Sequence, residues 1–92
     1  MRQINWSRQA IRDMTRIGRH IAADGPANAG KLLDQIEAKA MALASYPQIG
    51  RISGNSEARE LVVHAHYLVI YRVLPDSITI LPIKHVARKW PA

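Results

Sequence analysis

Near the end of the chain the run His85-Val86-Ala87-Arg88-Lys89-Trp90 joins an imidazole, two permanent cations and a large amphipathic ring. Cations beside an indole suit contact with a partner: guanidinium and ammonium groups hold anions, while the ring gains most when it is buried with its N–H satisfied. Arg88, Lys89 and Trp90 are therefore the candidate target-binding residues. Trp90 could equally anchor the C-terminus on the core, since tryptophan is enriched both at interfaces and in well-packed interiors. Both readings stay open at this stage.

Other residues offer chemistry with a plainer alternative beside it. His64 and His66 would share a strand face and could supply two metal ligands, yet a closed zinc site needs four. No third ligand is local, so ordinary strand-end histidines are favoured. The chain has no cysteine, which removes disulfides, thiol catalysis and thiolate zinc sites. No metal and no cofactor is expected. Tyr67 and Tyr71 fall on one strand face, where core or cross-strand packing is the favoured role. Arg72 falls on the opposite face with Leu68 and Ile70, and either pairs within the fold or meets a ligand. Arg8, Arg12, Arg16 and Arg19 form a helical stripe opposite Ile17 and Ile21, as expected of a solvated face.

These side chains must be carried by a small frame. The 92 residues suit one domain with one core, and they hold 13 Lys and Arg against 7 Asp and Glu, a formal charge of +6. That balance favours polyanionic partners, either nucleic acid or an acidic protein segment. With Phe absent and only two Trp and three Tyr, the aromatic platform of a generic single-strand binder is thin. No signal-like apolar run opens the chain, and none approaches the roughly 18 apolar residues of a membrane span. A soluble, cytoplasmic protein is expected.

Gln3 to Trp6 reads as a short strand, and Ser7 as the N-cap of a helix over 8–23, because Ala10, Ile11, Met14, Ile17 and Ile21 recur at the helical period. Asp24-Gly25-Pro26 ends it. A second helix over 27–44 follows from Ala29, Leu32, Leu33, Ile36, Ala40 and Leu43, and stops before Pro47. Residues 47–56, rich in Gly, Pro, Ser and Asn, read as a long loop. Strands follow over 59–63, 67–74 and 77–85, with Pro75-Asp76 as the turn between the last two. Pro82 lacks an amide donor, so the last strand should lie at an edge or carry a bulge there. The order β-α-α-β-β-β predicts an α+β fold, a helical hairpin packed on one face of a small antiparallel sheet.

In that order the motifs Trp6-Ser7-x-x-Ala10-x-x-Asp13, Ala40-x-x-Leu43-x-x-Tyr46-Pro47-x-x-Gly50-Arg51, Arg59-Glu60-Leu61-Val62-Val63, Tyr67-x-x-x-Tyr71-Arg72-Val73, Ile78-x-Ile80-Leu81 and His85-x-x-Arg88-x-Trp90-Pro91 resemble the ParE/RelE toxin superfamily across nearly the whole chain. The resemblance implies a single toxin domain over 1–92, growth arrest, and a type II toxin–antitoxin pair in which a ParD-like antitoxin wraps its C-terminal segment over the toxin in a hetero-oligomer. ParE-like members are described as poisoning DNA gyrase, RelE-like members as cleaving messenger RNA on the ribosome. RNA cleavage needs an acid, a base and cations for the phosphorane charge. Where the RelE pattern has an arginine directly after the first tyrosine of a strand, this chain has Leu68. Its lysine-rich run is also missing, and Trp90 stands where a catalytic tyrosine would serve. The ParE-like branch is favoured. The alternative is a metal-independent, RelE-like ribonuclease with His85 as acid or base and Arg59, Arg72 and Arg88 as phosphate clamps. A third reading is a toxin-derived partner that has lost its toxicity.

Overall fold

The computed structural model describes residues 2–23, 25–52, 57–64 and 67–85. Strand β1 (Gln3–Trp6) leads into helix α1 (Arg8–Ala22), then α2 (Pro26–Ala42), a two-residue strand β2 (Arg51–Ile52), and β3 (Ala58–His64), β4 (Tyr67–Val73) and β5 (Ser77–His85). The sheet has five strands in the order β1-β5-β4-β3-β2. The expected α+β architecture is the observed one.

Local chemistry sets the element ends. Ser7 is extended and its hydroxyl accepts from the Ala10 N–H at 3.1 Å, satisfying one orphan donor of α1. Pro26 opens α2, where its missing N–H would have had no partner in any case. Each helix buries one stripe: Ala10, Asp13 and Ile17 from α1, and Ala29, Leu32, Ile36 and Ala40 from α2. These pack on the sheet face carrying Tyr67, Val69, Tyr71, Ile78, Ile80 and Ile83. Leu68, Ile70 and Arg72 alternate onto the other face. Among the described residues no helix is long and apolar enough to cross a membrane.

Two details depart from the sequence reading, and a third resolves one of its alternatives. β1 pairs in parallel with β5, Ile4 beside Ile78 and Trp6 beside Ile80, so the sheet is mixed rather than wholly antiparallel. A parallel neighbour needs a long crossover, and the chain between β1 and β5 supplies one. The segment read as loop over 47–56 contains β2, whose Arg51 and Ile52 pair with Glu60 and Arg59. Finally, β5 lies inside the sheet, not at its edge. Pro82 is accommodated by a bulge instead: Ile80 and Ile83 of β5 stand opposite Tyr71 and Val69 of β4, one residue longer on the β5 side. The missing amide falls where the ladder is already broken.

Candidate functional site

Tyr67 and His85 are register partners at the ends of β4 and β5, and their rings meet edge to face with centroids 5.0 Å apart. His64 of β3 approaches the same tyrosine, at 6.1 Å. Across from them α1 presents Asp13, Arg16, Ile17 and His20, at the three- and four-residue spacing of one helical face. Together with Tyr67, Ile83 and His85, these α1 residues line a cleft of about 330 Å³. Its floor is apolar and nearly buried, from Ile17, Tyr67 and Ile83, while Arg16, His20 and His85 stand exposed around it. Burial pushes the Tyr67 phenol above its ordinary value, so it is a neutral hydroxyl at physiological pH.

Asp13 holds the cleft's back wall together. Its carboxylate is only 4% exposed. Oδ2 accepts from the backbone N–H of Ile83 at 2.9 Å, and Oδ1 from Gln9 Nε2 at 2.8 Å, with the exposed Arg16 guanidinium 3.6 Å away. A charged acceptor on a buried amide ties α1 to β5 across 70 residues of sequence. Asp13 was not among the sequence-predicted site residues. The signal was present: an acid three residues after Ala10 and four before Ile17, in phase with the core stripe.

A second assembly sits on the same sheet face farther along β4, beneath the turn before β2. Tyr71 Oη accepts from the Gly50 N–H at 2.9 Å and donates to the Pro47 carbonyl at 2.8 Å. Arg59 Nη1 donates to the Gly50 carbonyl at 2.7 Å and toward that of Gln48 at 3.4 Å. Burial raises the Tyr71 phenol, while the Gly50 hydrogen bond and the Arg59 charge pull the other way. Gly50 is required by space: an added Cβ would lie 2.6 Å from Tyr71 Oη and 2.7 Å from the Glu60 carbonyl oxygen. This clasp fixes a turn whose Tyr46 and Ile49, with Ile52 of β2, are all more than half exposed.

The predicted residues separate accordingly. Arg59 is register partner of Tyr71, on the helix-covered face, whereas Arg72 is partner of Ala58 and Thr79, on the other face. Arg72 is exposed, and it lies five residues along β4 from Tyr67, the partner of His85, roughly 17 Å at the usual rise of a strand. Arg59, Arg72 and His85 are thus not brought together. Arg8, Arg12 and Arg19 are exposed on α1 as expected, whereas Arg16, also exposed, does not lie opposite Ile17 but lines the cleft beside it and pairs with Asp13. Tyr67 and Tyr71 are both in the core. His66, Arg88, Lys89 and Trp90 lie outside the described residues. Among the described residues no three metal-ligating side chains cluster.

Comparison with known proteins agrees with this architecture. Residues 4–90 match the profile of the ParE toxin of the type II toxin–antitoxin system parDE. The chain is similar to Y4kP of Sinorhizobium fredii, 34% identical over 91 residues that cover 98% of this chain and 94% of the relative. It is similar also to Toxin RelE2 of Caulobacter vibrioides, 34% identical over 88 residues, 96% of this chain and 99% of that one. Among solved structures, a chain of the chromosomal ParDE system from P. aeruginosa superposes with a TM-score of 0.82 at 27% identity, covering 95% of this chain and 98% of the other.

Proposed function

Given that this chain belongs to the ParE toxin family of type II toxin–antitoxin systems, we propose that it arrests growth by protein contact, inhibiting DNA gyrase, and that a cognate antitoxin neutralises it. The observation that carries the protein-contact reading is the dispersal, among the described residues, of groups an RNA-cleaving site would need. Arg59 is occupied by the carbonyls of Gly50 and Gln48, Arg72 stands on the other sheet face, and His85 lies a strand's length away. A transition state gains from cations only when they converge on the reacting phosphate. We keep the target contact with Arg88, Lys89 and Trp90, which come after His85, Val86 and Ala87 in the sequence.

The antitoxin reading draws support from the net charge of +6 and from the similar P. aeruginosa structure, which is that of a ParDE toxin–antitoxin system. An acidic antitoxin segment would complement the charge. The deciding experiment is paired: induction without antitoxin, followed by DNA-damage signalling, and supercoiling by purified gyrase with added toxin. Arrest with damage signalling and lost supercoiling is the expected outcome. The RelE2 relative keeps a second reading alive, ribosome-dependent cleavage of messenger RNA. Codon-phased cleavage with supercoiling intact would establish that one. Normal growth with soluble protein present would leave an inert partner of the antitoxin.

A further inference from the structure

The cleft between α1 and the ends of β4 and β5 has a use that neither gyrase inhibition nor neutralisation as such assigns to it. Its volume of about 330 Å³ is at the small end of ligand pockets, which run from about 300 to 1,000 Å³. That is room for one large side chain rather than a cofactor. The floor of Ile17, Tyr67 and Ile83 is apolar, and the one buried acid on the wall, Asp13, has its oxygens engaged by Ile83 N–H, Gln9 and Arg16. It therefore offers no free carboxylate to attract a cation. The rim is of the opposite character. Arg16, with its side chain 73% exposed, and the imidazoles of His20 and His85 surround the opening, and exposed Arg12 and Arg19 extend the positive surface along α1. No other acid than Asp13 occurs in α1.

We propose that this cleft is the anchor pocket for a large apolar side chain, aromatic or long aliphatic, of an acidic antitoxin segment, with a neighbouring carboxylate held by Arg16 and His20. The inference rests on the antitoxin reading above and adds to it the residue chemistry of the anchor. Interfaces concentrate their affinity where a large side chain fills a desolvated pocket, and rim charges then choose between partners. An apolar floor with the Arg16 guanidinium at its rim and Arg12 and Arg19 beyond it along α1 selects for an apolar residue beside an acidic one and against the same residue beside a lysine.

The test uses the full chain labelled with 15N and three capped dipeptides as probes: acetyl-Trp-Glu-amide, acetyl-Trp-Lys-amide and acetyl-Ala-Glu-amide. The expected result is saturable movement of the Ile17, His20, Ile83 and His85 amides with Trp-Glu, at an apparent Kd at least threefold below that for Trp-Lys. Ala-Glu should leave these amides in place. In the Arg16→Gln/His20→Gln double variant, whose changed side chains are on the surface, the two tryptophan peptides should bind equally. Indifference to the charge of the second residue overturns the proposal, as does absence of binding. So does saturation of the same amides by sodium phosphate alone, which would mean a plain anion site. Amides already displaced in Trp90→Ala before any peptide is added would give the cleft to this chain's own C-terminal residues. Movement with protein concentration alone would give it to a second copy. Because no antitoxin is present, failure here leaves neutralisation in growth assays as a separate question.

Discussion

Replacing Asp13 separates a structural carboxylate from a functional one. In the native protein Oδ2 is the acceptor for the buried Ile83 N–H, and Oδ1 serves Gln9 and the exposed Arg16. Asp13→Ala leaves a buried amide without a partner and removes a charge-assisted bond, together about 2–3 kcal/mol, whereas the contact to exposed Arg16 adds little. Asp13→Asn behaves differently. Its carbonyl oxygen can still face Ile83 N–H, while its amide donates to Gln9 once that side chain flips to present its oxygen. Only the charge assistance is lost, on the order of 1 kcal/mol. For a domain of this size each kcal/mol moves the melting temperature by about 4–8 °C, so Asn should lower Tm by roughly 5 °C and Ala by roughly 15 °C. Calorimetric unfolding of the two variants, with antitoxin-free growth arrest measured at a permissive temperature, gives both readouts. Equal losses for Asn and Ala, or less than about 1 kcal/mol for Ala, would refute the reasoning, since the latter means the Ile83 amide finds another acceptor. Toxicity lost in Asn without a change in melting would give the carboxylate a functional charge instead.

The clasp beneath the β2 turn makes two further predictions. Tyr71→Phe removes the acceptor for Gly50 N–H and should cost about 1–3 kcal/mol by denaturant titration. Gly50→Ala forces a Cβ against the Tyr71 ring, its hydroxyl and the Glu60 carbonyl, at about 1–3 kcal/mol of overpacking. The double variant should fall short of the sum by roughly 0.5–1 kcal/mol, because either change alone already breaks the shared hydrogen bond; strict additivity would show the two are not coupled. Alkaline pH probes the buried phenols. Tyr67 and Tyr71 are both raised above 10.0, so their contribution is complete below the unfolded value and is lost as pH rises through the folded one. Stability should be level from neutral pH to the foot of that window and then decline. The decline should be shallower in Tyr67→Phe, and an identical pH profile for that variant and the native chain would count against it.

Much of the fold was legible because it depends on local periodicity. The apolar stripes of α1 and α2, the Ser7 cap and the turn at Pro75-Asp76 each follow from residues within a few positions of one another, and the observed elements lie within one or two residues of the expected ends. Pro82 even signalled its own defect, since a strand lacking an amide must either be at an edge or carry a bulge. What the pattern could not choose was which. That choice depends on β1 docking in parallel beside β5, and alternation within a strand carries no label for its neighbour. β2 escaped notice for another reason: two residues are too few to show any period.

The site was harder to read because it is made of coincidences between distant segments. His85 was singled out, but its partners in the cleft come from α1 and β4, and nothing local pairs Asp13 with the amide of Ile83. Arg59 and Arg72 were grouped with Arg88 as phosphate clamps only under the ribonuclease alternative. Side-chain direction across a sheet depends on register, and the register places Arg59 beside Tyr71 and Arg72 beside Ala58, on opposite faces. Arg59 is then drawn under the turn, where its guanidinium satisfies the carbonyls of Gly50 and Gln48. Cations that look catalytic in a linear string can thus be structural in the fold. Facing outward are the apolar side chains of Tyr46, Ile49 and Ile52 and the exposed Arg16 and His20 at the cleft, which fit the protein-contact reading proposed above.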